Sequence, residues 1–373
     1  MDTNTIELNN SRPVIGIMAL YWNDRKQLEE RALFRKFMTA GRRLGLSVIV
    51  FTPEDVDHSL KRVLAHAYDH KLKKWKRVWT SLPDIIFDRC RYQPTKRFEQ
   101  LKKFRQRYAD LTYLNRPLAN KWYIHQLFMK DEGIKPYLPD TVFYNKVDDV
   151  TQMLKKHDAV FFKPVNGTGG RGILRIQQSN GSYVIQGRNH QRGLIAPKPV
   201  QLTALKSILN TMQGEKKYEV QQGIHITLPS GRVHDYRILL QKNHRGKWSF
   251  TGGACRIGPL RSVTSNLHGG GSALPMLTML RRKYTGEQVT QIQKHIQKLS
   301  HHILQRLEKN YGSLCEMALD IAIDPKGDIW LLEINPKPGR EVFYKIGQKS
   351  VYQKSIQRPM EYAKYVYANR QTT

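Results

Sequence analysis

The 373-residue chain has few cysteines and no long apolar run, and each shortage excludes a class of protein. Its three cysteines, Cys90, Cys255 and Cys315, lack the CxxC spacing of a zinc site and are odd in number. We expect them to be reduced core thiols of an intracellular protein. No apolar run approaches the ~20 residues that span a bilayer, so no membrane span is expected. The first twenty residues have no basic segment before their apolar run and are not typical of a signal peptide.

Acidic residues are also scarce, with 31 Asp and Glu against 62 Lys and Arg, a net charge of +31. This charge favours anionic partners such as phosphorylated or acidic substrates, an acidic polymer or nucleic acid, although a solvated basic surface would give the same count. The basic residues concentrate at 61–79, "KRVLAHAYDHKLKKWKRVW". We interpret this segment as a basic helix face with inward tryptophans; the alternative is a phosphate-backbone site. No nucleic-acid module accompanies it, so a nucleic-acid partner is not expected.

The early part of the chain alternates strands and helices, which predicts a small parallel α/β domain over residues 1–115. Strands are expected at 13–20, 46–52 and 83–90, with a helix from Asp24 to Leu44. No G-x-G-x-x-G follows the first strand, so a dinucleotide site is not expected there. A P-loop sequence and a Ser-His-Asp series are absent as well, which leaves P-loop kinase and hydrolase functions without support.

A glycine-rich segment, "KPVNGTGGRGILRI" at 163–176, interrupts two apolar runs in the middle of the chain. It is either a loop that covers phosphate groups or a flexible turn between strands, and the segment alone does not distinguish them. A hairpin is expected around Ser179 and Gly181, and long helices at 201–213 and 287–310.

The stretch 317–335 predicts a β-hairpin that brings two carboxylates together. If Asp324 lies opposite Ile329, counting back pairs Ile323 with Trp330 and Asp320 with Glu333. One face is then wholly apolar, and the other carries Asp320, Glu333 and Asn335. Opposed like charges destabilise a sheet, so a divalent cation with oxygen ligands is expected there; the alternative is a solvent-facing hairpin. Arg340, just beyond, is a candidate for binding a substrate carboxylate or for a structural ion pair.

The order of these segments resembles the ATP-grasp ligases, and within them the YheC/YheD family of endospore coat-associated proteins. The motifs that carry the resemblance are "NKW", "FFKP", the glycine loop, "YEVQQGI", "HDYRILL", "RSVTSNLHGGG" and "LLEINPKPGR". The resemblance implies an ATP-grasp fold with an N-terminal Rossmann-like α/β domain at 1–115. It also implies a lid subdomain at 116–222 and a metal-binding large subdomain at 223–373.

The resemblance further implies an ATP-dependent carboxylate–amine ligase that works through an acyl phosphate. The nucleotide residues would be Lys121, Lys163, Gly167, Gly169, Gly170, Gly172, Gln221, Gln222 and Gly223. Arg237 and Asn266, with Arg340, would act at the reacting groups, and Asp320, Glu333 and Asn335 would bind Mg²⁺, two ions being expected and Mn²⁺ a substitute.

Partners would be an anionic acid, an amine and spore coat proteins, in the mother-cell cytoplasm or the spore coat. The alternative is a non-catalytic, basic coat protein that keeps the fold.

Overall fold

The computed structural model describes residues 12–92, 95–167, 169–267 and 270–370, which form three β-sheets with helices packed around them. Residues 1–11, which belong to the N-terminal stretch that is not typical of a signal peptide, therefore lie outside the described residues. The mixed helix-and-sheet architecture expected from the sequence is confirmed.

The first sheet is parallel at its centre and carries an antiparallel extension. Its strands run in the order β3-β4-β2-β1-β6-β7, with β5 paired to β4, and β2, β1, β6 and β7 are parallel. The elements are β1 (Val14–Met18), α1 (Arg31–Arg43), β2 (Ser47–Phe51), β3 (Val56–Asp57), β4 (Arg62–Asp69), β5 (Lys74–Ser81), β6 (Ile85–Asp88), α2 (Lys96–Arg107) and β7 (Thr112–Tyr113).

The three predicted strands of this sheet are confirmed, but α1 begins at Arg31 rather than at Asp24. Tyr21 and Leu28 form an antiparallel bridge, so the residues between them fold as a turn and are not available to the helix. Gly45 follows the helix with a φ of +79°, the left-handed conformation that commonly ends helices at glycine.

The basic segment 61–79 is a β-hairpin, and the predicted basic helix is wrong. β4 and β5 pair antiparallel along their whole lengths. Val63, Ala65 and Ala67 are buried at every second position, which is the period of a strand and not of a helix. Trp79 does not pack inward but remains 45% exposed.

The second sheet is antiparallel, with strand order β12-β11-β10-β9-β13-β8. The predicted hairpin is confirmed between β10 and β11, where Asn180 and Gly181 have φ values of +46° and +73°. The elements of this part are α3 (Lys121–Met129), β8 (Thr141–Phe143), α4 (Val147–Leu154), β9 (Val160–Pro164), β10 (Ile173–Ser179), β11 (Ser182–Arg188), β12 (Leu194–Val200), α5 (Leu202–Gln213) and β13 (Tyr218–Gln222).

The third sheet is also antiparallel, in the order β16-β15-β14-β17-β18, and the long helix α7 covers its apolar face. Its elements are β14 (His234–Lys242), β15 (Trp248–Ile257), β16 (Ser272–Pro275), α6 (Met276–Lys283), α7 (Gly286–Tyr311), β17 (Glu316–Ile323), β18 (Ile329–Asn335), α8 (Glu341–Lys345) and α9 (Lys349–Arg370).

Two of the apolar cores combine residues from elements that are far apart in the sequence. Ile124 and Phe128 of α3 pack into the core of the third sheet, although α3 precedes the second sheet in the chain. Ile356 and Met360 of α9 share a core with Phe37 of α1. The division of the chain at residues 115 and 222 therefore stays a prediction.

All three cysteines are buried and none forms a disulfide, as expected. Across the described ranges, each helix is too short or too polar to cross a membrane.

Candidate functional site

A cavity of about 620 Å³ lies between the second and third sheets, and residues of the first sheet's connections close one end. Twelve of the fifteen predicted site residues line it: Lys121, Lys163, Gly167, Gly169, Gly170, Gln221, Gln222, Arg237, Asn266, Asp320, Glu333 and Asn335. Gly172, Gly223 and Arg340 do not. The fold thus brings together residues that lie more than 200 positions apart in the sequence.

The wall formed by the second sheet presents Lys163 on β9. Lys163 lies directly opposite Glu219 of β13, and neighbouring Phe161 lies opposite Gln221, so all four share the cavity face. The Lys163 ammonium donates to Gln221 Oε1 at 2.8 Å and lies 3.2 Å from Glu219 Oε1. The ammonium group is therefore held at the hinge end of the cavity.

The glycine loop follows β9. Gly169 and Gly170 have φ values of +71° and +72°, which glycine adopts without steric cost. A Cβ at Gly170 would lie 2.6 Å from the side-chain nitrogen of Asn266, so the loop contacts the third-sheet part of the protein. Gly172 instead donates its N–H to the Asn189 carbonyl at 3.1 Å and ends the loop.

At the hinge after β13, two backbone N–H groups are already hydrogen-bonded within the fold. The N–H of Gln222 donates to the Asp140 carbonyl at 2.7 Å, and the N–H of Gly223 donates to the Ala159 carbonyl at 2.8 Å. These two donors are used within the fold and are not available to a ligand. A nucleotide contact at Gln222 or Gly223 stays a prediction and would use groups other than these two N–H donors.

The opposite wall carries a row of charged side chains on neighbouring strands of the third sheet. Arg256 lies opposite Asp235. Arg237 lies opposite Asp320, which in turn lies opposite Glu333. The predicted Asp320–Glu333 register is thus confirmed.

The predicted pairing of Ile323 with Trp330 is wrong, because the connection between the strands is one residue shorter than assumed. A bulge in β18 then restores the predicted Asp320–Glu333 pair. Ile323 lies opposite Ile329, and the register shifts between Asp320 and its neighbour Ile321. The extra residue is Leu332, which lines the cavity, whereas Leu331 packs in the core. Strict alternation would place Leu332 on the apolar face and Leu331 on the acidic face, and the structure shows the reverse.

Asp320 is 3% exposed and is neutralised by arginines. Arg237 donates to both of its oxygens, at 2.8 and 2.7 Å, and Arg256 lies 2.9 Å from Oδ2. Burial alone would raise the pKa of Asp320, but these two guanidinium groups outweigh it and hold the pKa at about 2. The Asn335 amide also donates to Oδ2, at 3.2 Å, which places its side chain beside the carboxylate.

Lys121 reaches the same row from the first turn of α3. The Asn120 side chain accepts a hydrogen bond from Tyr123 N and so begins this helix immediately before Lys121. The Lys121 ammonium lies 3.1 Å from Glu333 Oε1. Burial would lower its pKa, but the carboxylates of Glu333 and Glu219 raise it above its usual value, so the side chain stays charged.

Arg340 lies outside the cavity, which corrects its predicted contact with a substrate carboxylate. It is 1% exposed, donates to Glu316 Oε2 and to the Ser355 carbonyl, and lies over the ring of Phe37. The structural ion pair considered in the sequence analysis is the observed arrangement.

Sequence reasoning missed several cavity residues. Arg256 and Asp235 add a second ion pair to the charged row, and Arg192 reaches the glycine loop from the turn between β11 and β12. Asp235 could have been found, because in "HDYRILL" it lies two positions from Arg237 and so on the same strand face. The apolar lining includes Phe161, Ile173, Ile224, Ile226, Val263 and Leu332. No periodicity marks Leu332, since a bulge directs it to the cavity.

The oxygen donors at the row fit a hard divalent cation in their chemistry. Asp320, Glu333 and Asn335 converge on one face and supply carboxylate and amide oxygens. In the described part of the chain, no group of three or more His, Cys, Asp or Glu side chains is arranged to hold a metal. A cation would therefore depend on the amide of Asn335 and on additional oxygens from a ligand or water.

Known proteins of one family are similar to this chain. A family model described as YheC/D like ATP-grasp matches residues 110–366. The chain is 27% identical over 333 residues to the endospore coat-associated protein YheC of Bacillus subtilis, covering 87% of this chain and 90% of that one. It is 23% identical over 363 residues to YheD of the same organism, covering 95% and 79%.

Among solved structures, the D-alanyl-alanine synthetase A of Vibrio cholerae superposes with a TM-score of 0.54 at 11% identity. The match covers 93% of this chain and 97% of that one, and at this identity it shows the fold alone. The fold is thus the α/β ATP-grasp fold, and the family match places the chain more narrowly. The chain belongs to the YheC/YheD family of ATP-grasp proteins.

Proposed function

We propose that this protein is an ATP-dependent carboxylate–amine ligase that forms an acyl phosphate. The observation that carries the proposal is that two lysines, a left-handed glycine loop and three oxygen donors converge in one cavity. Phosphoryl transfer depends mainly on positioning and on neutralisation of charge, so this set is sufficient without a protein nucleophile. The ligase-type fold of the structural neighbours supports the same class of reaction.

The nucleotide would bind with its base at the hinge. Phe161, Ile224 and Leu332 supply apolar surface there, next to the hinge residue Gln221. Lys163 and Lys121 would then neutralise the phosphates, beneath the backbone N–H groups of the glycine loop.

Asp320, Glu333 and Asn335 would hold Mg²⁺, two ions being proposed and Mn²⁺ a substitute. The bound cation supplies positive charge that draws electron density from phosphate oxygens. Binding would require Asp320 to exchange some of its contacts with Arg237 and Arg256 for contacts to the cation. Arg237, once released, could pair with an anionic group of the substrate instead.

The reaction would proceed in two steps. A carboxylate oxygen of the acid attacks the terminal phosphorus of ATP, the bond to the bridging oxygen breaks, and ADP leaves. The amine nitrogen then attacks the acyl carbon and loses a proton, and phosphate leaves from the tetrahedral adduct. Arg237 and Asn266 line the cavity where they could stabilise charge on the phosphoryl group or on the oxyanion.

An anionic substrate fits the charge of the cavity. Eight cationic side chains line it against four carboxylates, and the whole chain carries a net charge of +31. The substrates we propose are therefore anionic small molecules or polymers. The relatives' names suggest the mother cell or the spore coat as the location, with coat proteins as neighbours.

A second candidate is a basic coat protein without turnover. It is favoured by the ion pairs of Asp320, because two arginines already neutralise this carboxylate without a cation.

The first experiment is thermal unfolding of the protein with and without Mg-ATP. A ligand at 100 times its Kd should stabilise the protein by ~2.7 kcal/mol. We expect a clear rise in melting temperature with Mg-ATP, and then ADP release when suitable acid–amine pairs are screened. Stabilisation without ADP release from any pair would favour the coat-protein candidate, and no stabilisation would contradict nucleotide binding altogether.

Replacing Gly170 with alanine should weaken binding of Mg-ATP about tenfold. The added methyl group would meet the side chain of Asn266 and hold the glycine loop away from the phosphates. Gly181→Ala is the matched control, because Gly181 has a φ of +73° and open space around it. Both variants should lose about 1 kcal/mol of unfolding free energy through backbone strain. If calorimetry gave the two variants equal affinities for Mg-ATP, loop closure would not depend on Gly170.

A further inference from the structure

Most cations that line the cavity are already paired. Six of the eight have a carboxylate within 4 Å, namely Arg91, Lys121, Lys163, Arg237, Arg256 and Lys337. Within the described part of the chain, Arg171 and Arg192 have none, and both belong to the second sheet's side of the cavity. Of these two, Arg192 lies in a turn whose backbone is fixed by hydrogen bonds.

The backbone around Arg192 is fixed in an unusual conformation. Arg192 has a φ of +70°, which side chains other than glycine rarely adopt. The Asn189 side-chain oxygen accepts hydrogen bonds from the N–H groups of Gln191 and Gly193, at 3.0 and 2.7 Å. The Arg192 N–H donates to the Asn189 carbonyl at 3.1 Å, and the Asn189 N–H donates to the Gly193 carbonyl at 3.0 Å, so several hydrogen bonds hold this turn.

The turn aims the Arg192 guanidinium at the glycine loop. One terminal nitrogen lies 2.9 Å from the position that a Cβ on Gly169 would occupy. Nε is buried and has no hydrogen-bond partner among the described residues. A buried donor without a partner is costly, and an acceptor from a ligand would satisfy it.

Arg192 is also linked to the loop through the backbone. The Gly172 N–H, at the end of the glycine loop, donates to the Asn189 carbonyl that also accepts from Arg192. The turn and the loop therefore form one unit, and Arg192 would move with the loop as it closes.

We propose that Arg192 binds the terminal phosphate of the nucleotide. This inference rests on the proposed function, because it requires ATP in the cavity. Lys163 is held at the hinge by Gln221, whereas Arg192 lies against Gly169, next to the loop residue that contacts Asn266. The phosphate farthest from the base is the one that reaches this end. A guanidinium there would neutralise charge on the group that is transferred.

The test compares Mg-ATP and Mg-ADP binding to the full chain by calorimetry. Arg192→Ala should weaken ATP binding about tenfold or more, while ADP binding stays within about twofold. Arg192→Lys should recover part of the ATP affinity. Gln191→Ala is the matched control on the same turn, because its side chain is exposed, and it should bind both nucleotides like the wild type.

Three results would overturn the inference. Unchanged ATP affinity in Arg192→Ala would show that Arg192 does not bind the terminal phosphate. Equal losses for ATP and ADP would place Arg192 at another phosphate if the melting temperature is unchanged, or assign it a structural role if the melting temperature falls. A wild-type protein that binds neither nucleotide would instead contradict the proposed function, and the two failures are therefore distinguishable.

Discussion

Replacing Glu316 with glutamine is expected to lower the unfolding free energy by about 3–5 kcal/mol. Glu316 is 1% exposed and accepts hydrogen bonds from two arginines whose side chains are fully buried, Arg89 and Arg340. A neutral amide would leave Arg340 without a carboxylate and Arg89 with Glu30 alone. An unpaired buried charge is far more costly than a missing surface ion pair. Urea unfolding at neutral pH measures the loss.

The matched control for this prediction is Glu99→Gln. Glu99 also pairs with a cation, Lys102, but both side chains are more than half exposed. Loss of the Glu99–Lys102 ion pair should lower the unfolding free energy by less than about 1 kcal/mol. If the two variants were equally stable, Glu316 could not be holding buried charges, and the packing of these arginines would have to be different.

This buried network explains what Arg340 does in place of binding substrate. Arg89 follows β6 of the first sheet, Glu316 begins β17, and Arg340 follows β18. The network thus joins the first and third sheets behind the cavity. We infer that Arg340 is a positioning residue, which fixes the chain just after the oxygen donors of β18.

Replacing Glu333 with glutamine is expected to abolish most of the stabilisation by Mg-ATP. The amide retains one oxygen but loses the charge that would hold the cation and that pairs with Lys121. We expect a loss of about 10²–10³ in turnover once substrates are known. Because Glu333 and Lys121 are about one-third exposed, the free protein should lose less than about 1 kcal/mol. The readout is the melting temperature with and without Mg-ATP.

Asp328→Asn provides the control, since Asp328 lies in the exposed turn of the same hairpin and the same unit of charge is removed. It should respond to Mg-ATP like the wild type. If Glu333→Gln also responded fully, the nucleotide would bind without this carboxylate, and the oxygen donors of β18 would have no part in the site.

Local sequence patterns determined much of this protein. The three predicted strands of the first sheet, the hairpin at Asn180 and the long helix α7 follow from alternation, turn residues and helical spacing. The motif order was enough to identify the family. Register counting brought Asp320 opposite Glu333, but only because the bulge at Leu332 offsets a one-residue error at the turn. The strand, hairpin and helix predictions succeeded because each depends on neighbours along the chain or across one tight turn.

The tertiary structure decided the rest. The bulge that turns Leu332 into the cavity depends on packing, because Leu331 and Leu332 are identical in sequence terms. Arg340 is directed away from the cavity by Glu316, which lies 24 positions away and supplies its buried counter-charge. Arg192 reaches Gly169 only because the turn after β11 folds back onto the glycine loop. Residue types and local spacing determine which groups can do chemistry, but long-range packing determines which of them face the cavity and which are already paired.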